Sequence, residues 1–101
     1  MSLSNQQKKY LRGLSHRLHA VVTVADKGLT ENVLSEFENA LNAHELIKVR
    51  LRCERGQRTV HITKILRHTG SELVHSIGQT ACFYRRNLET PKIVLPESNS
   101  A

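Results

Sequence analysis

In the stretch Leu46-Ile47-Lys48-Val49-Arg50-Leu51-Arg52-Cys53, apolar and cationic residues alternate without a break from Ile47 onward. In an extended strand successive side chains point to opposite faces. Ile47, Val49, Leu51 and Cys53 therefore share one face, and Lys48, Arg50 and Arg52 share the other. The first set needs a core and the second needs water or an anion, so the chain must surround this strand with a sheet and at least one covering layer.

The flanking sequence supplies the rest. Ser4 and Gln7 have the spacing of a capping box and start a helix, with Tyr10, Leu11 and Leu14 as its apolar stripe and an end near 13–15. Leu18 follows as an apolar anchor in a loop. The β-branched run Ala20–Ala25 reads as a buried strand, and Asp26-Lys27-Gly28 as a turn. Thr30 caps a second helix, with Leu29 and Leu34 placed as a hydrophobic staple and Val33, Leu34, Phe37, Ala40 and Leu41 facing inward. After the alternating strand, a third helix is expected over about 57–68, with Val60, Ile62, Ile65 and Leu66 inward and Gly70 as its stop. Strands at 73–77 and 80–85 flank a turn at Gly78-Gln79. A last extended piece, Lys92-Ile93-Val94-Leu95, lies between two prolines and suits a sheet edge. The expected fold class is α/β: a single compact domain in the order α-β-α-β-α-β-β, with helices packed on a four-stranded mixed sheet.

At 101 residues, 39% apolar and 24% charged, the chain suits one globular domain, expected over residues 1–96 with a disordered tail at 97–101. The first nine residues carry no apolar run of the kind that marks a secretory leader, and no stretch approaches the length of a membrane span. Cys53 and Cys82 are isolated, without partners at metal-ligand spacing, and read as reduced structural thiols. A cytoplasmic protein is expected, with no metal and no cofactor.

Fifteen Lys and Arg against nine Asp and Glu leave a net charge of +6. Such a surplus suits an anionic partner, nucleic acid foremost, although a basic surface can also serve solubility alone. Three segments concentrate it. Lys48, Arg50 and Arg52 stand roughly 6.6 Å apart on one strand face, close to the spacing of phosphates along a nucleic-acid strand, and Arg55 extends them. The turn holding Lys27 and Gly28 leads into a helix N-terminus, whose free N–H groups and dipole attract phosphate, though a plain turn has the same spacing. The run Tyr84-Arg85-Arg86 sets a ring beside two cations, as looped RNA prefers, although a core tyrosine fits Tyr84 as well.

Catalysis finds no support in the pattern. No local arrangement offers a nucleophile, base and orienting group, the six histidines lack metal-binding spacing, and there is no glycine-rich phosphate loop. The second helix region, 31–45, holds four acids and no Lys or Arg. Its Glu31, Glu36 and Glu38 are expected on a solvated face pointing away from a polyanion, or toward a basic protein partner.

Several ordered motifs together resemble a known family. They are Leu11-x-x-Leu14-x-His16, Val22-x-Val24 followed by Gly28-Leu29-Thr30-Glu31, His44-Glu45-Leu46-Ile47-Lys48-Val49, Ile77-Gly78-x-Thr80-x-x-x-Tyr84-Arg85, and Lys92-Ile93-x-Leu95-Pro96. Across about 3–96 the chain is similar to the bacterial YhbY type of the CRM (chloroplast RNA splicing and ribosome maturation) domain family. That resemblance implies a fold like the C-terminal domain of translation initiation factor 3 and association with precursors of the large ribosomal subunit. It also implies a loop comparable to the phosphate-clamping G-x-x-G loop of KH domains. Here that loop reads Ala25-Asp26-Lys27-Gly28, with alanine in place of the first glycine, and Gln79 stands where relatives are expected to carry a basic residue.

The sequence thus points to a non-enzymatic, monomeric RNA-binding protein that assists ribosome assembly by electrostatic capture of structured rRNA from large-subunit precursors. Its candidate RNA-binding residues are Lys27, Gly28, Lys48, Arg50, Arg52, Arg55, Tyr84, Arg85 and Arg86. The alternatives are a protein-interaction module that recruits assembly or translation factors through the acidic helix, and a DNA-binding domain.

Overall fold

The computed structural model describes residues 3–97. Its elements are α1 (Asn5–Ser15), β1 (Ala20–Val24), α2 (Glu31–His44), β2 (Leu46–Leu51), α3 (Arg55–Thr69), β3 (Glu72–Ile77) and β4 (Thr80–Tyr84), the order expected from sequence. The sheet order is β1-β2-β4-β3. β1 runs parallel to β2, while β4 is antiparallel to both β2 and β3 and lies between them.

The pleat of β2 decides what packs where. Ile47, Val49 and Leu51 face α2 and α3 in the larger core, with Val22, Val24, Phe37, Leu41, Ile65, Ala81 and Phe83. Phe37 meets Phe83 edge-to-face at 5.8 Å, an arrangement favoured by ring quadrupoles. Leu46 points the other way, into a smaller core under α1 that also holds Leu3, Leu11, Val74, Cys82 and Tyr84. The molecule is therefore three-layered, with α1 on one sheet face and α2 with α3 on the other.

Local signals set the helix ends. The Ser4–Gln7 capping box closes in both directions, and Thr30 Oγ1 accepts from Val33 N–H at 3.2 Å. Gly70 ends α3 at φ +68°, as a left-handed stop requires. The stripe of α1 is narrower than expected. Leu11 is buried, but Tyr10 and Leu14 are exposed, and Gln7 goes inside because its amide donates to the Pro96 carbonyl at 3.1 Å. Val60 is likewise half exposed rather than inward.

Lys92–Leu95 forms no strand. Pro91 and Pro96 lack N–H groups for a ladder, and the N–H groups of Lys92 and Ile93 donate instead to the Glu45 carboxylate at 2.6 and 2.7 Å. Ile93 and Leu95 still reach the smaller core. Of the expected disordered tail, 98–101 lie outside the described residues.

Glu45, the fourth acid of the 31–45 region, is fully buried. It joins α2 to β2 alone, at φ +63°, the one non-glycine residue at positive φ among those described. The one-residue connection reverses the chain from helix to strand through this positive φ, and hydrogen bonds hold the strained backbone in place. Its N–H donates to Leu41 O and its carbonyl accepts from Arg85 N–H, both at 2.9 Å. Its carboxylate accepts from Asn87, Lys92 and Ile93.

Candidate nucleic-acid interface

Four segments meet at the end of the sheet where β2 finishes. They are the β1–α2 turn, the 52–54 link, the first turns of α3 and the β3–β4 turn. Arg52 N–H donates to Val24 O at 2.8 Å, carrying the parallel pairing one residue past the strand. Leu51 N–H donates to Gln79 O at 2.6 Å, and the Arg58 guanidinium donates to Gly78 O.

Between the β1–α2 turn and α3 lies an open pocket of about 550 Å³. Lys27, Arg52 and Lys64 line it, with Asp26 as the opposing charge, beside Gly28, Gln57, Val60 and His61. The turn is closed by Gly28 N–H donating to Ala25 O at 2.8 Å. Ala25 sits there without positive φ, so alanine in place of the first glycine brings no backbone strain. Gly28 does need its freedom, at φ +70°. A Cβ there would meet only His61 Cε1, at an ordinary 3.5 Å. Gly28→Ala is accordingly expected to lower stability by about 1–2 kcal/mol through the left-handed backbone alone. Thermal unfolding should register a drop of several degrees.

The structure distributes the expected site residues unevenly. Lys27, Arg50, Arg52 and Arg55 are exposed at this end. Lys48 is half-buried and lines a separate groove near α1. Arg50 stands on the α1 side of the sheet, paired with Thr23 and Thr80. α1 covers only the Leu46–Tyr84 end of that face, so Arg50 reaches water directly.

Tyr84, Arg85 and Arg86 lie at the opposite end, beyond Leu46. Tyr84 is 4% exposed in the smaller core and offers no ring for stacking; desolvation by that burial, with Glu45 nearby, raises its pKa. Arg85 is committed internally, donating to Glu38 and to Thr69 O at 2.8 Å and to Asn42 Oδ1 at 2.9 Å. Its pairing also takes Glu38 out of the acidic surface of α2. Arg86 alone of the three is exposed.

Sequence reading missed Gln57, His61 and Lys64. Their i, i+4, i+7 spacing puts them on one helix face, and that was legible; that this face would meet Lys27 and Arg52 was not. The His61 Nδ1 and Arg58 Nε atoms are buried near this end without hydrogen-bond partners among the described residues.

The fold and its cationic end define a small three-layer α/β domain that gathers positive charge around a glycine turn at a helix start. The chain belongs to the CRS1/YhbY (CRM) domain family, whose model matches residues 3–85. It is 47% identical over 88 residues to a Pseudomonas aeruginosa protein named a probable RNA-binding protein, covering 86% of this chain and 85% of that one. It is 46% identical over 96 residues to an RNA-binding protein of Haemophilus influenzae, covering 94% of this chain and 96% of that one. In structure it resembles a Staphylococcus aureus protein solved in solution and described as a candidate RNA-binding protein. There the TM-score is 0.80 at 31% identity, covering 94% of this chain and all of that one. Among the described residues no helix is long and apolar enough to cross a membrane.

Proposed function

We propose that this protein captures structured ribosomal RNA of large-subunit precursors by its cationic end, acting as a cytoplasmic, non-enzymatic monomer in ribosome assembly. The observation that carries the reading is the convergence of Lys27, Arg52 and Lys64 from three separate elements on the Gly28 turn, where α2 begins. Phosphate is the ligand class that such a site suits, since helix-start N–H groups and flexible cations both favour a compact anion. Arg50 and Arg55 widen the contact. Recognition of this kind reads backbone and shape more than base sequence. Relatives named for RNA binding support RNA over DNA as the polyanion.

α2 packs on the sheet face opposite Lys48 and Arg50, so Glu36 does not oppose an anion held on that face, whereas Glu31, in the first turn of α2, stands close to the Gly28 turn and is outnumbered there by Lys27, Arg52 and Lys64. The deciding experiment is a ribosome gradient of cell lysate, run with and without RNase and with high salt. The protein should migrate with large-subunit precursors and leave them under either treatment. Migration at the top of the gradient in untreated lysate would remove the large-subunit assignment.

A further inference from the structure

The sheet face that carries Lys48 and Arg50 leads away from the phosphate-like site to a second concavity of different character. This groove, of about 480 Å³, lies between the end of α1, the edge strand β1 and the 91–96 segment. Its size falls within the roughly 300–1,000 Å³ of small-ligand sites. Leu14, Leu18, Val21, Leu46 and Ile93 supply apolar surface, and Leu14 and Val21 are 38% and 51% exposed. Around them stand Arg17, His19, His44 and Lys48, and no carboxylate among the described residues lines the groove.

Resting on the RNA-binding reading above, we propose that this groove receives an unpaired nucleobase of the bound RNA. An extruded base has two apolar faces and a polar edge, and it is tied to phosphates. The groove answers each part. Its aliphatic side chains meet a face, and the planar groups of Arg17, His19 and His44 are of the kinds that stack on bases. Lys48 and Arg17 meet the flanking phosphates.

Continuity gives the register. Lys48 lines the groove and Arg52 lines the cationic pocket, with Arg50 between them. Cα positions two residues apart on a strand are roughly 6.6 Å apart. One strand of RNA can thus run along β2 from the phosphate site to the base site. Such a groove would also admit an acidic amphipathic peptide, but the cation row that joins it to the phosphate site favours an occupant continuous with the RNA held there.

The test compares two hairpin RNAs that differ only in a single-nucleotide bulge, one with its base and one abasic, by fluorescence anisotropy at fixed salt. The intact bulge should bind roughly five- to a hundredfold more tightly, the range of one base contact. Leu14→Gln with Val21→Gln, both at exposed positions, should reduce that ratio to about twofold while leaving binding of the abasic hairpin and its salt dependence unchanged. Circular dichroism confirms that the variant folds. Equal binding of the two hairpins by the native protein overturns the groove assignment and leaves the cationic site standing. So does a base-dependent ratio that the double variant preserves. Absence of salt-dependent binding to either hairpin overturns both readings together.

Discussion

Glu45→Gln should destabilise the protein by about 3 kcal/mol, the largest effect expected from any near-isosteric change in this chain. Bonds to a buried charged acceptor contribute roughly 1.5–3 kcal/mol each, and an orphaned buried donor costs about 1–3 kcal/mol. The carboxylate accepts from Lys92 and Ile93 through Oε1 at 2.6 and 2.7 Å and from Asn87 through Oε2 at 2.7 Å. An amide keeps one oxygen and turns an N–H₂ group toward at least one of these donors. The residue would also keep its positive φ with fewer bonds to hold it. Urea denaturation measures the loss, and thermal melting should fall by roughly 12–24 °C. Amide exchange should quicken first at Asn87, Lys92 and Ile93. An unchanged midpoint would show that the 87–93 segment is held by its apolar contacts and not by this carboxylate.

The same group sets a pH dependence. Desolvation by burial, the largest single influence, pushes its pKa up, but the three backbone N–H bonds and the nearby Arg86 together hold it below the ordinary 4.5. A depressed folded value means that the charged form is favoured by folding. Its contribution is complete above pH 4.5 and is lost as pH falls through the lower folded value. The stability gap between the native protein and Glu45→Gln should therefore narrow on acidification. A constant gap from neutral to acid pH would contradict the assigned charge state.

The second large effect concerns binding. Replacing Lys27, Arg50 and Arg52 by Gln should weaken affinity for structured RNA on the order of a hundredfold at 0.15 M salt. Counterion release contributes roughly 1 kcal/mol per neutralised phosphate at that salt, and three such contacts are removed. If the native protein contacts about six phosphates, its affinity should drop on the order of a thousandfold between about 50 and 200 mM salt. The triple variant should lose about half of that slope. All three side chains are exposed and make no side-chain hydrogen bond among the described residues, so folding should be intact. Arg85→Gln serves as a contrast. Its guanidinium is bound to Glu38, Thr69 and Asn42, so that change belongs to stability rather than to the salt slope. A flat salt response of the native protein would remove electrostatic capture altogether.

The sequence by itself determined the order of the seven helices and strands and the two faces of β2. Alternation in β2 announced both its core side and its cationic side, and Ser4, Thr30 and Gly70 marked helix ends through bonds made within a few residues. The chemistry of the end that gathers charge was half legible. Lys27, Gly28, Arg50, Arg52 and Arg55 stood out by composition and spacing, whereas Lys64 looked like any exposed helix residue until α3 was laid beside the β1–α2 turn.

Tertiary structure alone decided the rest. It inserted β4 between β2 and β3, sent Tyr84 into a core, gave Arg85 to an acid 47 residues away, and brought amides 42 to 48 residues distant onto Glu45. A local pattern tells a residue which face of its own element it occupies, because that depends on periodicity alone. Which group waits across the gap depends on strand order and layer packing, and these are settled by the summed burial of the whole chain.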